Sequence, residues 1–328
     1  MAANGVRARI SSSPDLRAWV ALAAVYLIWG STYTGIQVAV RYLPPLLMTG
    51  VRFLFAGALL YAVAGHRGGW RSLSWGRPTR AEAISAGVVG LFLLLGGNGL
   101  LTVAELKAQS GIAALMIATV PLWMALFGGF FTRSQGPGLV GWLGVMVGLG
   151  GVAVLVDPGS AGHLSGLLTL ELLGSAILWS IGSLYSRRAP LARNVLLVAA
   201  VEMGVGGTAL LILGLATGEA SQVRWVQIGA PALIAFVWLV FVGAIVGFTS
   251  YTYALKHLPA TTVATYAYVN PVVALLLGWI VLGQGLTPAV GLAAVLITLG
   301  VVLMVSGPVI ARRRAERRVG PVPEVHLG

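Results

Sequence analysis

Long apolar stretches of about 20 residues alternate along this chain with short polar connections, and a helix of that length crosses the hydrocarbon of a bilayer. The pattern predicts ten membrane helices, at about 18–38, 46–65, 81–102, 110–131, 138–156, 166–186, 194–216, 230–254, 262–282 and 288–307. Several connections are very short, so sequential helices are expected to run antiparallel. The first apolar run is too long for a signal-peptide core and shows no small-residue cleavage site, so it reads as a membrane helix. One stretch stands apart: Thr265 to Leu282, TYAYVNPVVALLLGWIVL, places a proline, an asparagine and two tyrosines inside an apolar run.

That stretch has a counterpart one half-chain earlier, ATVPLWMALFGG from Ala118 to Gly129. Pro121 and Pro271 stand 150 residues apart, and the same offset, without a gap, matches Trp29 to Trp179, Val51 to Val201, Gly57 to Gly207, Gly97 to Gly247, Gly128 to Gly278 and Gly150 to Gly300. Glycine matches come cheaply in a chain with 45 glycines, but the tryptophan, the proline and the constant offset do not. The reading is a duplication: an N-terminal tail at 1–17, a first five-helix repeat at 18–158, a second at 162–307, and a basic tail at 308–328. Five is odd, so the second copy enters the membrane from the opposite side. Inverted repeats of this kind are typical of secondary transporters, whose sites lie near the midplane between the halves.

Composition agrees. With 58% apolar residues, 9% charged and a mean hydropathy of +0.91, the chain is an all-α integral membrane protein. Cysteine is absent, which removes disulfides and thiolate metal sites. The net charge of +12 follows the positive-inside rule and implies no nucleic-acid partner. With the N-terminus inside, the outer loops hold only Arg41, Lys107 and Arg224, Arg52 lies within a span, and the other basic residues are cytoplasmic. Both termini are therefore expected in the cytoplasm, with the bilayer as a partner along the whole chain.

The first span carries Tyr26, Trp29, Tyr33 and Gln37 on one helical stripe. Tryptophans usually collect at membrane interfaces, as Trp19, Trp70, Trp75 and Trp225 are placed to do, whereas Trp29 is mid-span. Trp29 and Tyr33 read equally as cavity wall for an amphipathic solute and as helix packing. Tyr26 and Gln37 read as packing. Trp179 with Ser175, Ser183 and Ser186 repeats the pattern, Trp123 follows Pro121, and Tyr266 and Asn270 share a face. Asn270 and Asn98 each need partners in lipid, from a wet cavity or from a neighbouring helix. Pro121 and Pro271 free the carbonyls of Ile117 and Ala267 and bow or hinge their helices. Arg52 and Glu202 are intramembrane charges at repeat-equivalent positions, expected to pair or to find separate polar partners. Glu202 is the carboxylate set deepest in a span, while Glu105 and Glu171 sit at span ends. Gly141, Gly144, Gly148 and Gly151 form a close-packing face, for another helix or another subunit.

Catalytic and nucleotide-binding patterns are missing. The histidines (His66, His163, His257 and His326) lie in loops or the tail, Asp15 and Asp157 lie at span ends, and neither a zincin motif nor a phosphate-binding glycine–lysine loop occurs. The chain is therefore read as no enzyme, with no cofactor and no metal.

The segments YLIWGSTYTGIQVAV, LPPLLMTGVRFLFAGALL, GGNGLLTVAE, ATVPLW, VGFTSYTYALKHLPATTVATYAYVNPVVALLLGWIVLG and LITLGVVLMV resemble the EamA family of the drug/metabolite transporter superfamily, from about 18 to 307. The resemblance implies two inverted five-helix halves, a central cavity and a place in the bacterial inner membrane. It also implies export of small metabolites such as amino acids, or of drug-like compounds. Family motifs fall on Trp29, Gly30, Arg52, Pro121 and Pro271. Where members often carry Glu after the last glycine of the ninth span, this chain has Gln284, with Ser134 opposite in the first half. The expected function is export by alternating access. The rivals are a multidrug exporter for aromatic cations, a lipid scramblase and a non-transporting scaffold. Proton coupling and homodimerisation stay open.

Overall fold

The computed structural model describes residues 16–68, 78–131, 138–156, 164–223, 226, 228–258, 263 and 265–319. Outside them lie Trp70, Trp75, Trp225, Ser134, His163, His326, Asp15, Asp157 and several of the basic residues used to orient the chain, among them Arg7, Arg9, Arg71, Arg77, Arg133 and Arg224. Helix is the one regular structure among the described residues. The helices are α1 (Leu16–Ala39), α2 (Pro45–Gly68), α3 (Arg80–Ala104), α4 in two pieces (Ser110–Ile117 and Val120–Phe131) and α5 (Gly138–Val156). They continue with α6 (Gly166–Ser186), α7 (Val195–Ala216), α8 (Ala230–Val237 extended by Trp238–Val246 and Gly247–His257), α9 (Tyr266–Leu282) and α10 (Pro288–Val319). Eight of these, α1 to α8, are long and apolar enough to cross a membrane; Tyr266–Leu282 and Pro288–Met304 are apolar but shorter. The basic stretch expected as a tail after 307 instead prolongs α10 to Val319. ARRRAERR is built of strong helix formers, so nothing local stops the helix.

Polar residues fix several helix starts. Thr79 and Glu82 form a reciprocal capping box at α3, with Glu82 N donating to Thr79 Oγ1 at 3.2 Å and Thr79 N donating to Glu82 Oε2 at 2.7 Å. Asn194 accepts from Leu196 N and Leu197 N to cap α7. The α2 start is capped from a distance: Leu46 N and Leu47 N donate to the buried carboxylate of Glu219, at 3.2 and 2.9 Å. Because Glu219 follows α7, this cap ties the adjacent ends of α2 and α7 together.

The main packing seams join repeat-equivalent helices, α2 with α7 and α5 with α10. Apolar helices in lipid gain little by hiding apolar surface from each other, so small residues that admit backbone against backbone carry the contact. A Cβ on Gly300 would stand 2.5 Å from Gly148 N and 2.6 Å from Gly144 O. One on Gly50 would stand 2.9 Å from Gly207 O, and one on Gly207 3.0 Å from Gly50 O. The glycine face of α5 is thus occupied by α10 inside one chain. The remaining contacts also come in equivalent sets: α1 packs on α9 as α6 packs on the second piece of α4, and α1 packs on α8 as α6 packs on α3.

Two features escaped the apolar pattern. Leu91–Asn98 in α3 and Trp238–Val246 in α8 are π-helical, at nearly equivalent positions of the two repeats. Such wide turns are common where a helix is shaped for a site. The prolines also differ. Pro121 lies at the start of the second piece of α4, after a break at Ala118 and Thr119, whereas Pro271 sits within a continuous α9.

The seams make a direct prediction. Gly300→Ala forces a methyl into the α5 backbone and should cost about 1–3 kcal/mol, lowering the thermal midpoint of the purified protein. Its repeat partner Gly150 has nothing within 4 Å of an added Cβ, so Gly150→Ala should leave the midpoint unchanged or raise it. Equal losses for both would contradict the packing.

Candidate functional site

Three aromatic rings from three helices meet in one wall. The Trp29 ring of α1 lies 5.1 Å from that of Tyr251 (α8) and 5.1 Å from that of Tyr266 (α9), edge-on to the latter. Tyr251 and Tyr266 are 5.9 Å apart, again edge to face. All three rings are partly buried. Aromatic rings gathered in this way are a surface of the kind that takes an organic solute or a cation. Tyr26 backs the wall with a hydroxyl hydrogen bond to Thr265.

Trp29 reaches this position because α8 has no side chain in its way: a Cβ on Gly247 would lie 2.6 Å from the indole Nε1. The other half repeats the contact with partners exchanged. Trp179 of α6 covers Gly97 of α3, where a Cβ would lie 2.9 Å from Cε3. Each repeat therefore lends its tryptophan to a glycine of the other, beside or within a π-helical turn. Ser175, four residues before Trp179, donates to Gly97 O at 2.7 Å and pins the same crossing.

A polar cluster forms between α2 and α3. Arg52 of α2 is buried and donates from Nη2 to Asn98 Oδ1 at 3.4 Å, with its guanidinium 4.3 Å from the Phe53 ring centre. Its Nε and Nη1 have no partner. The opposite charge acting on it is that of Glu105, just past the end of α3 and 1% exposed. Neither oxygen of Glu105 accepts a hydrogen bond. Tyr33 of α1, one turn after Trp29, is buried as well. Thr102 and Thr49 complete the cluster, the former bonded to Asn98 O at 2.8 Å and to Thr49 at 3.2 Å.

Next to Glu105 the chain closes over itself. Gln37 Nε2 donates to Ala108 O at 2.7 Å, Ser110 N donates to Gln37 Oε1 at 3.0 Å, and Ser110 Oγ donates to Gln284 Oε1 at 3.0 Å. Gln284 Nε2 returns to Gln37 Oε1. This clasp joins the ends of α1, α4 and α9, and every residue from Ser110 to Met116 beneath it is buried.

The other candidates fall nearby or apart. Asn270, with its amide turned to donate, reaches Tyr266 O at 3.1 Å and Tyr26 O at 3.3 Å, joining α9 to α1. Trp123 donates to Thr119 Oγ1 at 3.1 Å and stacks on Phe127, away from the triad. Glu202 lies at the crossing of α7 on α3, where its backbone abuts Gly90. Arg52 thus turns to Asn98, and Glu202 is not among its hydrogen-bond partners. No group of three His, Asp or Glu able to hold a metal comes together among the described residues.

The EamA-like transporter family matches the sequence twice, over residues 17–157 and 164–306. The chain belongs to that family. It is similar to the uncharacterized inner membrane transporter YedA of Escherichia coli K12, 38% identical over 311 residues that cover 89% of this chain and 94% of the relative. A probable amino-acid metabolite efflux pump of the same organism is 26% identical over 304 residues, 86% of this chain and 93% of that protein. The uncharacterized transporter YvbV of Bacillus subtilis is 27% identical over 275 residues, 84% and 87% of the two chains. A crystal structure 21% identical shares the fold, with a TM-score of 0.62 over 91% of this chain and 98% of its own. The protein is a multi-pass membrane transporter, placed like YedA in the inner membrane.

Two residues of this transporter's site were not singled out from sequence. Glu105 reads as an acid at a span end, yet it shares a helical face with Asn98 and Thr102, seven and three residues before it. Tyr251 sits one turn after Gly247, on the face that glycine opens to Trp29. The clasp is testable by a double-mutant cycle. Gln37→Ala and Gln284→Ala should each lower stability by about 0.5–1.5 kcal/mol, and their combination should cost less than the sum. Strict additivity of the thermal shifts would show that the two amides do not interact.

Proposed function

We propose that this transporter exports small amphipathic organic solutes, amino-acid-like metabolites foremost, by alternating access. In this reading ten helices cross the membrane as two inverted five-helix repeats with both termini in the cytoplasm. The clasp at Gln37, Ser110 and Gln284 then closes the outer face, and the aromatic wall opens toward the cytoplasm. The observation that carries the reading is the repeat-exchanged tryptophan contact, Trp29 on Gly247 and Trp179 on Gly97. It interlocks the halves at two crossings, with α1, α8 and α9 at one and α3, α4 and α6 near the other. Rocking these groups about the glycine seams moves the two faces in opposite senses. Support for the substrate class comes from the amino-acid metabolite efflux pumps among the relatives and from the neutral aromatic and amide lining. The clustering of the Trp29, Tyr251 and Tyr266 rings favours one rival, an exporter of aromatic cations.

Efflux from proteoliposomes loaded with amino acids or aromatic cations tests both. Selective efflux above empty liposomes is expected, and Trp29→Ala should reduce it about tenfold, the equivalent of a lost aromatic contact of ~1.4 kcal/mol. Efflux of cations alone would install the rival, and an unaffected Trp29→Ala would remove the triad from the path.

A further inference from the structure

We propose that Glu105 is the proton-carrying carboxyl of this transporter and that its protonation closes the outer face. The inference rests on the orientation and alternating-access reading above. Glu105 is 1% exposed, at the turn that leads from α3 into the clasped start of α4, and both its oxygens are without a hydrogen-bond donor. Burying a carboxylate this way costs several kcal/mol unless it is neutralised. The structure withholds the usual remedy. Arg52 is close enough to act on it electrostatically, yet Nε and Nη1 of Arg52 are also unpartnered, and no ion pair forms between them. Two opposite charges kept apart inside a closed face are what a two-state element leaves behind when the charged form belongs to the other state. Closed and protonated, Glu105 is a neutral acid beneath the clasp. Open and ionised, it is wetted from outside.

The titratable groups facing Glu105 among the described residues are Arg52 on α2 and Tyr33 on α1. Asn98 and Thr102 on α3, and Ser110 and Gln284 in the clasp, are neutral, and Lys107 is exposed. A proton taken from outer water bonds to a carboxylate oxygen when the face is open. It is released to water on the cytoplasmic side after closure. One proton enters as the carrier returns, which drives solute outward. Glu202 lies at the α7–α3 crossing, away from the clasp, and is not needed for this step.

The chain has no cysteine, so single thiols can report the gate without a known substrate. Ala108→Cys places a thiol under the clasp (1% exposed), and Leu106→Cys places one in the open nearby (50% exposed). In cells, the ratio of their labelling by a membrane-impermeant maleimide cancels the intrinsic pH dependence of thiol chemistry. The ratio should rise several-fold from acidic to neutral external pH. Glu105→Gln should hold it low and flat, and Glu105→Asp, which keeps a titrating group and controls for folding, should restore a pH-dependent rise. A flat ratio in the parent, or the same rise in Glu105→Gln, would overturn the proposal. The transport reading fails separately: a pH-dependent ratio in a protein that moves no solute would leave the gate standing and remove export.

Discussion

Everything in this structure depends on two backbone-to-backbone seams, α2 on α7 and α5 on α10. In a bilayer, leucine against leucine is worth little more than leucine against lipid, so helices hold each other where glycine lets them touch. Gly300 between Gly144 and Gly148, and Gly50 against Gly207, supply that contact. Both seams join repeat-equivalent helices, which is where a twofold relation between two copies would put its self-paired elements. The Glu219 cap on α2 fastens one seam further. The helices that carry chemistry, α1, α3, α4, α6, α8 and α9, are arranged around these seams and hold each other by thinner contacts: single indoles on single glycines, one serine on a carbonyl, a clasp of two amides and a serine.

The duplication retained packing and divided chemistry. Trp29 and Trp179 meet Gly247 and Gly97 in the same way, and π-helical turns recur at matching depth. The residues around those contacts are unlike. Tyr251 and Tyr266 stand where the first half has Leu101 and Met116, while Arg52, Asn98 and Glu105 correspond to Glu202, Phe248 and Leu255. One crossing is therefore aromatic and the other is charged.

The helices were legible because length and apolarity alone specify them. The eight helices long and apolar enough to cross a membrane lie within a few residues of the runs read from sequence, and the duplication was visible in a proline and a tryptophan at one fixed offset. What stayed hidden depended on depth and on partners from far along the chain. Glu105 ends an apolar run and so reads as a span-end acid, yet the fold leaves it 1% exposed. Tyr251 lies in a run of aromatic and hydroxyl residues with nothing local to mark it, until Gly247 one turn earlier is seen to admit Trp29. Arg52 and Glu202 invited pairing by their equivalent positions, but Arg52 donates to Asn98 of α3, and the backbone of Glu202 lies against Gly90 of the same helix. The seam glycines were legible as a close-packing face, and the identity of the facing helix was not.

The central claim is that the helices around the two crossings rock about fixed glycine seams. Electron–electron distance measurements on spin-label pairs test it most directly, since labels can be attached to cysteines introduced in a chain that has none. Exposed positions serve each face: Leu106 with Leu286 near the clasp, Arg187 with His257 at the opposite ends of α6 and α8, and Leu143 with Leu299 across the α5–α10 seam. Between acidic and alkaline buffer the first two distances should change in opposite senses while the third stays constant. Two faces that widen together, or a seam distance that shifts with them, would contradict the account.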